Sequence, residues 1–189
     1  MEKLIAYLLK FGNLTEEECK LILSKAELKS ISKGAYFSQA GKVAKSIGFV
    51  SDGVFRICYY SNTGESFTRY FVYENRFVVD MNSFQDEIPS AEYIEAVTDC
   101  EVIAFTKEDF LSLSATIPGW KDIFFKITSY VLENKLRMTS NMLVQDAQTR
   151  YLNFLDHYPG LANRIPLIML ASYLGITPSS LSRIRKNIL

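Results

Sequence analysis

The stretch Leu167-Ile168-Met169-Leu170-Ala171-Ser172-Tyr173-Leu174-Gly175-Ile176-Thr177-Pro178-Ser179-Ser180-Leu181-Ser182-Arg183-Ile184-Arg185-Lys186-Asn187-Ile188 reads as helix, tight turn, helix. Ala171 is small where the two helices would cross, and Gly175 permits the positive φ that such a turn needs. Leu170, Leu174, Ile176, Leu181, Ile184 and Ile188 supply a miniature core. Thr177 is a good N-cap, with Pro178 suited to the first helical position. The second helix is two-faced. Leu181, Ile184 and Ile188 turn inward, while Ser179, Ser180, Ser182, Arg183, Lys186 and Asn187 lie outward with no acid among them. Those side chains suit an element that enters a major groove: an Arg can fork onto guanine, serines donate or accept, and a Lys meets phosphate.

Working back from this motif, a long helix precedes it. Pro118 suits its first position, and the pattern runs to Gln145, about 28 residues or ~42 Å. Trp120, Phe124, Ile127, Val131, Asn134, Met138 and Asn141 follow 4-3 spacing, and a second apolar stripe holds Phe125, Leu132, Leu136 and Leu143. One stripe can cover a neighbouring domain; the other then needs a partner helix. Phe124, Ile127, Val131, Asn134 and Met138 are read as the dimer seam, with the asparagines setting register.

Between Leu28 and Phe110 the pattern is short strands with turn signals every 8–12 residues. The candidates are Leu28–Ile31, Ala35–Ser38, Ser46–Ser51, Gly53–Ser61, Glu65–Val72, Arg76–Val79, Tyr93–Ala96 and Glu101–Thr106. Asp52-Gly53 reads as a tight hairpin turn. Evenly spaced strands of this kind suggest a sandwich, barrel or jelly roll. Ahead of them lie two short helices, the second opened by a capping box in Thr15-Glu16-Glu17-Glu18.

Composition narrows the chemistry. The chain has 189 residues, equal numbers of acidic and basic side chains, and 48% hydrophobic residues, enough for a packed core. One histidine, His157, cannot build a multi-histidine metal centre. Cys19, Cys58 and Cys100 are far apart and odd in number, which fits buried thiols in a reducing compartment. No Gly-rich nucleotide cradle and no hydrolase elbow occurs, so no catalytic residue, metal site or cofactor is assigned. No apolar run approaches the ~18–20 residues of a membrane span, and Met1–Phe11 lacks a cleavage site, which points to a cytoplasmic protein.

The order of N-terminal helices, eight-strand roll, long helix and helix-turn-helix resembles the cyclic-AMP-receptor/fumarate-nitrate-regulator (Crp–Fnr) superfamily of bacterial transcription factors. The resemblance spans nearly the whole chain, is most specific in Leu170–Ile188, and is supported by Gly34, Gly53 and Glu101-Val102-Ile103-Ala104-Phe105. It implies an α+β fold: a β-roll of the cyclic-nucleotide-binding type over 1–117, a dimerisation helix over 118–145 and a DNA-binding unit over 146–189. It also implies a homodimer that binds a palindromic site on double-stranded DNA and works with RNA polymerase, Arg183 falling at the family's base-contacting Arg.

Two departures qualify the resemblance. Members that bind cyclic nucleotides carry a Gly-Glu pair and then an Arg; here Val79-Asp80 and Pro89-Ser90 stand there, with no cation for the cyclic phosphate. Cyclic AMP is therefore not expected in the usual mode, and the roll senses another small molecule or has lost ligand binding. Arg69 and Arg76 lie nearby in sequence as candidate substitutes. No strand pair follows the second helix, so the wing is expected to be missing or very short. The competing readings are a roll whose helical tail binds a protein, and a cupin-like enzyme, which one histidine disfavours. Residues 145–189 carry five basic side chains against two acids, so the neutral total hides a basic end on an acidic body.

Overall fold

The computed structural model describes residues 1–188, except the side chain of Asn141. Helices α1 (Glu2–Leu8) and α2 (Glu16–Ser24) lead into strands β1 (Glu27–Ile31), β2 (Tyr36–Ser38), β3 (Ser46–Asp52), β4 (Val54–Tyr60), β5 (Ser66–Tyr73) and β6 (Phe77–Val78). Helix α3 (Met81–Asp86) interrupts the strands before β7 (Tyr93–Ala96) and β8 (Cys100–Thr106). Then come α4 (Lys107–Thr116), α5 (Trp120–Val144), α6 (Ala147–His157), a 3-10 turn at Leu161–Asn163, α7 (Leu167–Leu174) and α8 (Pro178–Ile188). The α+β roll, the long helix and the helix-turn-helix are all present.

The strands form two antiparallel four-stranded sheets, ordered β1-β8-β3-β6 and β2-β7-β4-β5. Val50, Phe55, Ile57, Ile94 and Val102 fill the space between them. The far face of the first sheet presents Phe49, Ile103 and Phe105 to α1, α2, α4 and α5, through Leu4, Leu8, Ile22, Leu113, Trp120 and Ile127. The far face of the second presents Val54, Phe71 and Tyr73 to α6 and α7. Both sheets are thus covered on both faces, which is why β3, β4 and β8 read as apolar runs rather than clean alternation.

The capping box forms as expected: Thr15 Oγ1 accepts the Glu18 N–H at 3.2 Å, and Glu18 accepts the Thr15 N–H at 2.7 Å. The expected hairpin at Asp52-Gly53 does not. Strands β3 and β4 lie in different sheets, so Gly53 is a corner between them. Its φ is +99°, and a Cβ there would sit 2.5 Å from the Asp99 carbonyl oxygen. The hairpin proper joins β4 to β5, closed by Ser61 N–H donating to Glu65 O at 2.9 Å.

Helix α5 begins at Trp120, two residues later than Pro118, and its 25 residues span about 37 Å. Its stripes are exchanged relative to expectation. Phe124 and Ile127 are buried against the chain's own roll, Phe124 packing its ring on Phe77 and Phe110. Val131 and Asn134 are half-buried; Asn134 Nδ2 donates to Tyr130 O, and Met138 Sδ accepts the Tyr158 hydroxyl at 2.7 Å. Asn141, placed on the same seam, has its side chain outside the described residues. The face left open carries Phe125, Leu132, Leu136 and Leu143, which are 57–83% exposed. The rings of Trp120, Phe124, Phe110 and Phe84 pack as one chain of contacts and draw the first stripe inward. No described helix is long and apolar enough to cross a membrane.

Candidate nucleic-acid interface

Helix α7 buries Leu170, Ala171 and Leu174 completely and ends at Gly175, whose φ of +67° makes the turn. Ile176 N–H then closes back onto Ala171 O at 3.0 Å. Thr177 caps α8, its Oγ1 accepting Ser180 N–H at 3.1 Å. Leu181 is buried against α7 and Ile184 is half-buried. Ile188, expected inward, is 37% exposed, because the miniature core ends one turn earlier.

Ser179, Ser182, Arg183, Lys186 and Asn187 all lie exposed on α8. Ser180 is half-buried and bound up in the cap, its Oγ receiving the Thr177 hydroxyl at 2.9 Å. Arg185 faces the other way: its guanidinium donates to Ala162 O at 3.4 Å and lies over the Tyr151 ring. The positive residues of α8 are therefore divided, with Arg183 and Lys186 presented outward and Arg185 serving the fold. A groove of about 540 Å³ separates the Arg183 side of α8 from the start of α6, with Asp146 and Thr149 on its far wall.

The unit is fastened to the roll. Ser172 Oγ accepts Thr68 N–H at 2.9 Å and its hydroxyl reaches Ser66 O at 3.3 Å, on the free edge of β5. Phe71 meets Tyr173 and Phe154, and Tyr73 meets Tyr158 edge-on. Arg164 forks onto both oxygens of Glu74 at 2.9 and 2.5 Å, and Glu74 also accepts Gly53 N–H. Burial works to raise the Glu74 carboxyl, but these donors hold it below its ordinary value.

At the place expected for an effector, the structure brings together two of the four residues named from sequence. Asp80 caps α3 by accepting Ser83 N–H at 3.2 Å, and its other oxygen accepts the Ser90 hydroxyl at 2.6 Å. Ser90 in turn accepts Glu92 N–H at 3.1 Å. Val79 instead packs toward the helical layer, and Pro89 is exposed and bridges to Val43. Of the substitute cations, Arg76 is engaged with its own strand end, lying over the Tyr73 ring and donating to Tyr73 Oη and Glu74 O. Arg69 pairs with Glu92, lies over the Tyr70 ring and feels the Asp80 carboxylate.

Sequence reasoning missed Lys135. It reaches in from α5 and sets Nζ 3.6 Å from the Tyr70 ring centroid. Burial, reinforced by Arg69, pulls its pKa from 10.5 to about 8. Its position four residues after Val131, on the inward stripe, was the available signal. Among the described residues it has no carboxylate within 4.0 Å. The buried ion pair of this sheet lies elsewhere, Arg56 to Glu95 at 2.7 Å, with Cys58 beside it. Burial, countered by Arg56, pushes the Cys58 thiol up to about 11, and burial likewise raises the Cys100 thiol.

Residues 28–116 match the family model of the cyclic nucleotide-binding domain. Over nearly its full length the chain also superposes on solved regulators. The global regulator CLP of Xanthomonas campestris, which is c-di-GMP responsive, is 16% identical with a TM-score of 0.72, covering 92% of this chain and 91% of that one. The chain has the Crp–Fnr fold. FixK2 of Bradyrhizobium japonicum is 15% identical with a TM-score of 0.73 over 86% and 84% of the two chains. The catabolite activator protein of Thermus thermophilus is 22% identical, with a TM-score of 0.58 over 96% and 86%. No curated protein sequence matches the chain.

Proposed function

We propose that this Crp–Fnr-like chain is a sequence-specific DNA-binding transcription regulator that acts as a homodimer. The observation that carries the reading is the outer face of α8, where Ser179, Ser182, Arg183, Lys186 and Asn187 stand exposed on a helix anchored by Leu181. Arg183 reads a guanine edge, and Lys186 meets the phosphate backbone. The activity is binding, without catalytic chemistry, and RNA polymerase is the downstream partner.

Dimerisation supplies the second recognition helix. The open face of α5 places Phe125, Ser129, Leu132, Leu136, Thr139 and Leu143 at alternating steps of four and three, the seam of a two-stranded coiled coil. A symmetric pair implies a palindromic operator.

The roll is the sensory half. Ser90, in the stretch where cyclic-nucleotide binders carry the phosphate cation, donates to Asp80, in the stretch of their Gly-Glu pair, so cyclic AMP is not held in the usual mode. An effector entering from the α5 side meets Lys135 and the Tyr70 ring instead. Footprinting across the chain's own promoter tests the reading: protection of a symmetric site supports it, and no selective protection at low salt overturns it.

A further inference from the structure

A second cationic site lies at the junction of α5 and α6, away from both the roll and the recognition face. Arg137 and Met142 of α5, and Arg150, Asn153 and His157 of α6, surround a small cavity of about 30 Å³. Arg150 places its guanidinium against the turn glycine: a Cβ on Gly175 would stand 3.2 Å from its Nη1. The cavity therefore touches the long helix, the following helix and the helix-turn-helix at once.

The polar groups around it are mostly donors. Arg150 Nε is fully buried and has no hydrogen-bond partner. Leaving such a donor unmet costs free energy. Arg137 has given one N–H to Asn134 Oδ1, which leaves it further donors. Gln145 Oε1 already accepts Asn153 Nδ2 at 2.9 Å, so Gln145 adds its amide hydrogens to the donors on the lining, and Asn153 Oδ1 is an acceptor among them. Among the described residues neither guanidinium has a carboxylate within 4.0 Å. Asp146, whose carboxyl the Thr149 N–H and then Arg150 help to hold low, is not on the lining, so a donor-rich cavity with two permanent positive charges still favours a negative occupant.

Its size limits the choice. A water-sized species needs roughly 10–15 Å³ measured this way, so one or two small species fit and a nucleotide does not. We propose that the cavity is a binding site for a small inorganic anion of halide size, chloride in the first instance, held by Arg150 and Arg137. Bound there, the anion ties the end of α5 to α6 and to the Gly175 turn, and so favours the arrangement in which α8 stands as described.

The test uses the full chain and two probes. In solution, chloride-35 line broadening is titrated with protein and displaced with bromide. A saturable broadening in wild type that weakens at least tenfold in Arg150→Gln and in Arg137→Gln, both folded by circular dichroism, supports the site. Arg137 is exposed, so its variant keeps the test informative should Arg150→Gln fail to fold. Broadening equal in wild type and Arg137→Gln overturns the proposal. Crystals grown in bromide give the second readout: an anomalous peak beside Arg150 Nε is expected, and a cavity holding water alone contradicts it.

Discussion

Ser172 Oγ, on the first helix of the helix-turn-helix, accepts the backbone N–H of Thr68 at 2.9 Å and also reaches Ser66 O. One side chain thus satisfies the edge of β5 as a neighbouring strand would, and it fixes the helix-turn-helix on the roll. Because Tyr70 and Phe71 are consecutive, β5 faces Lys135 with one residue and Tyr173 with the next. A change on the Lys135 side of this strand has a short route to α7.

Ser172→Ala leaves the Thr68 amide without its partner. A cost of about 1–3 kcal/mol is expected, read as a lower urea midpoint with an unchanged slope. Amide exchange at Thr68 should accelerate by more than exchange in the buried strand β8. Equal protection at Thr68 in wild type and variant would show that the latch carries no weight.

The two stripes of α5 make opposite predictions. Leu132→Glu and Leu136→Glu, on the open face, should yield monomers in sedimentation analysis while retaining helical circular dichroism. Ile127→Ala, on the buried face, should cost ~2–5 kcal/mol of stability and leave the association state unchanged. A dimer that persists in the double Glu variant would move the interface elsewhere.

Lys135 gives a pH signature. Its pKa is depressed in the folded protein, so the folded chain sheds this proton at about pH 8 and the unfolded chain at about 10.5. Between these values the unfolded state binds more protons, so stability rises with pH across the window. Lys135→Met should be the more stable protein at pH 7, with the difference shrinking toward pH 9.5 in denaturant titrations. A difference that grows with pH would refute the assignment.

Arg185 and Lys186 are neighbours with separate tasks. Lys186→Ala should weaken binding to all sequences alike and reduce the salt slope by about 1. Arg185→Ala, which removes the contact with Tyr151 and Ala162, should lower the melting temperature while base preference is kept. Thermal unfolding and binding titrations on both variants separate the two.

Local signals in the chain were easily read. Thr15 and Glu18, Thr177 and Pro178, and Gly175 act within a few residues of themselves, and each does in the structure what its type implies. The strands were legible within a residue or two, because turn residues punctuate them. What could not be read depends on distant partners. Asp52-Gly53 has hairpin chemistry, yet Asp99 and Thr98 come close to make it a corner. Both stripes of α5 are apolar with the same spacing, and only the rings of Phe77, Phe84 and Phe110 decide which is buried. Helix α3 is short and its signal is the single cap Asp80, whose carboxylate serves a ligand contact equally well in sequence. In sequence Lys135 is one more charge on an amphipathic helix, and only Tyr70, 65 residues earlier in the chain, sets it apart.

The central claim, that α8 reads DNA through Arg183, is tested most directly by selecting binding sites from random duplexes with the full-length protein and with Arg183→Ala. The wild type should enrich a palindrome whose half-sites lie about 10–10.5 base pairs apart, or a multiple of that, centre to centre. Arg183→Ala should lose ~1–3 kcal/mol on that site and relax the preference at one position in each half. An identical enriched sequence and affinity for both proteins, or no enrichment by the wild type, would contradict it.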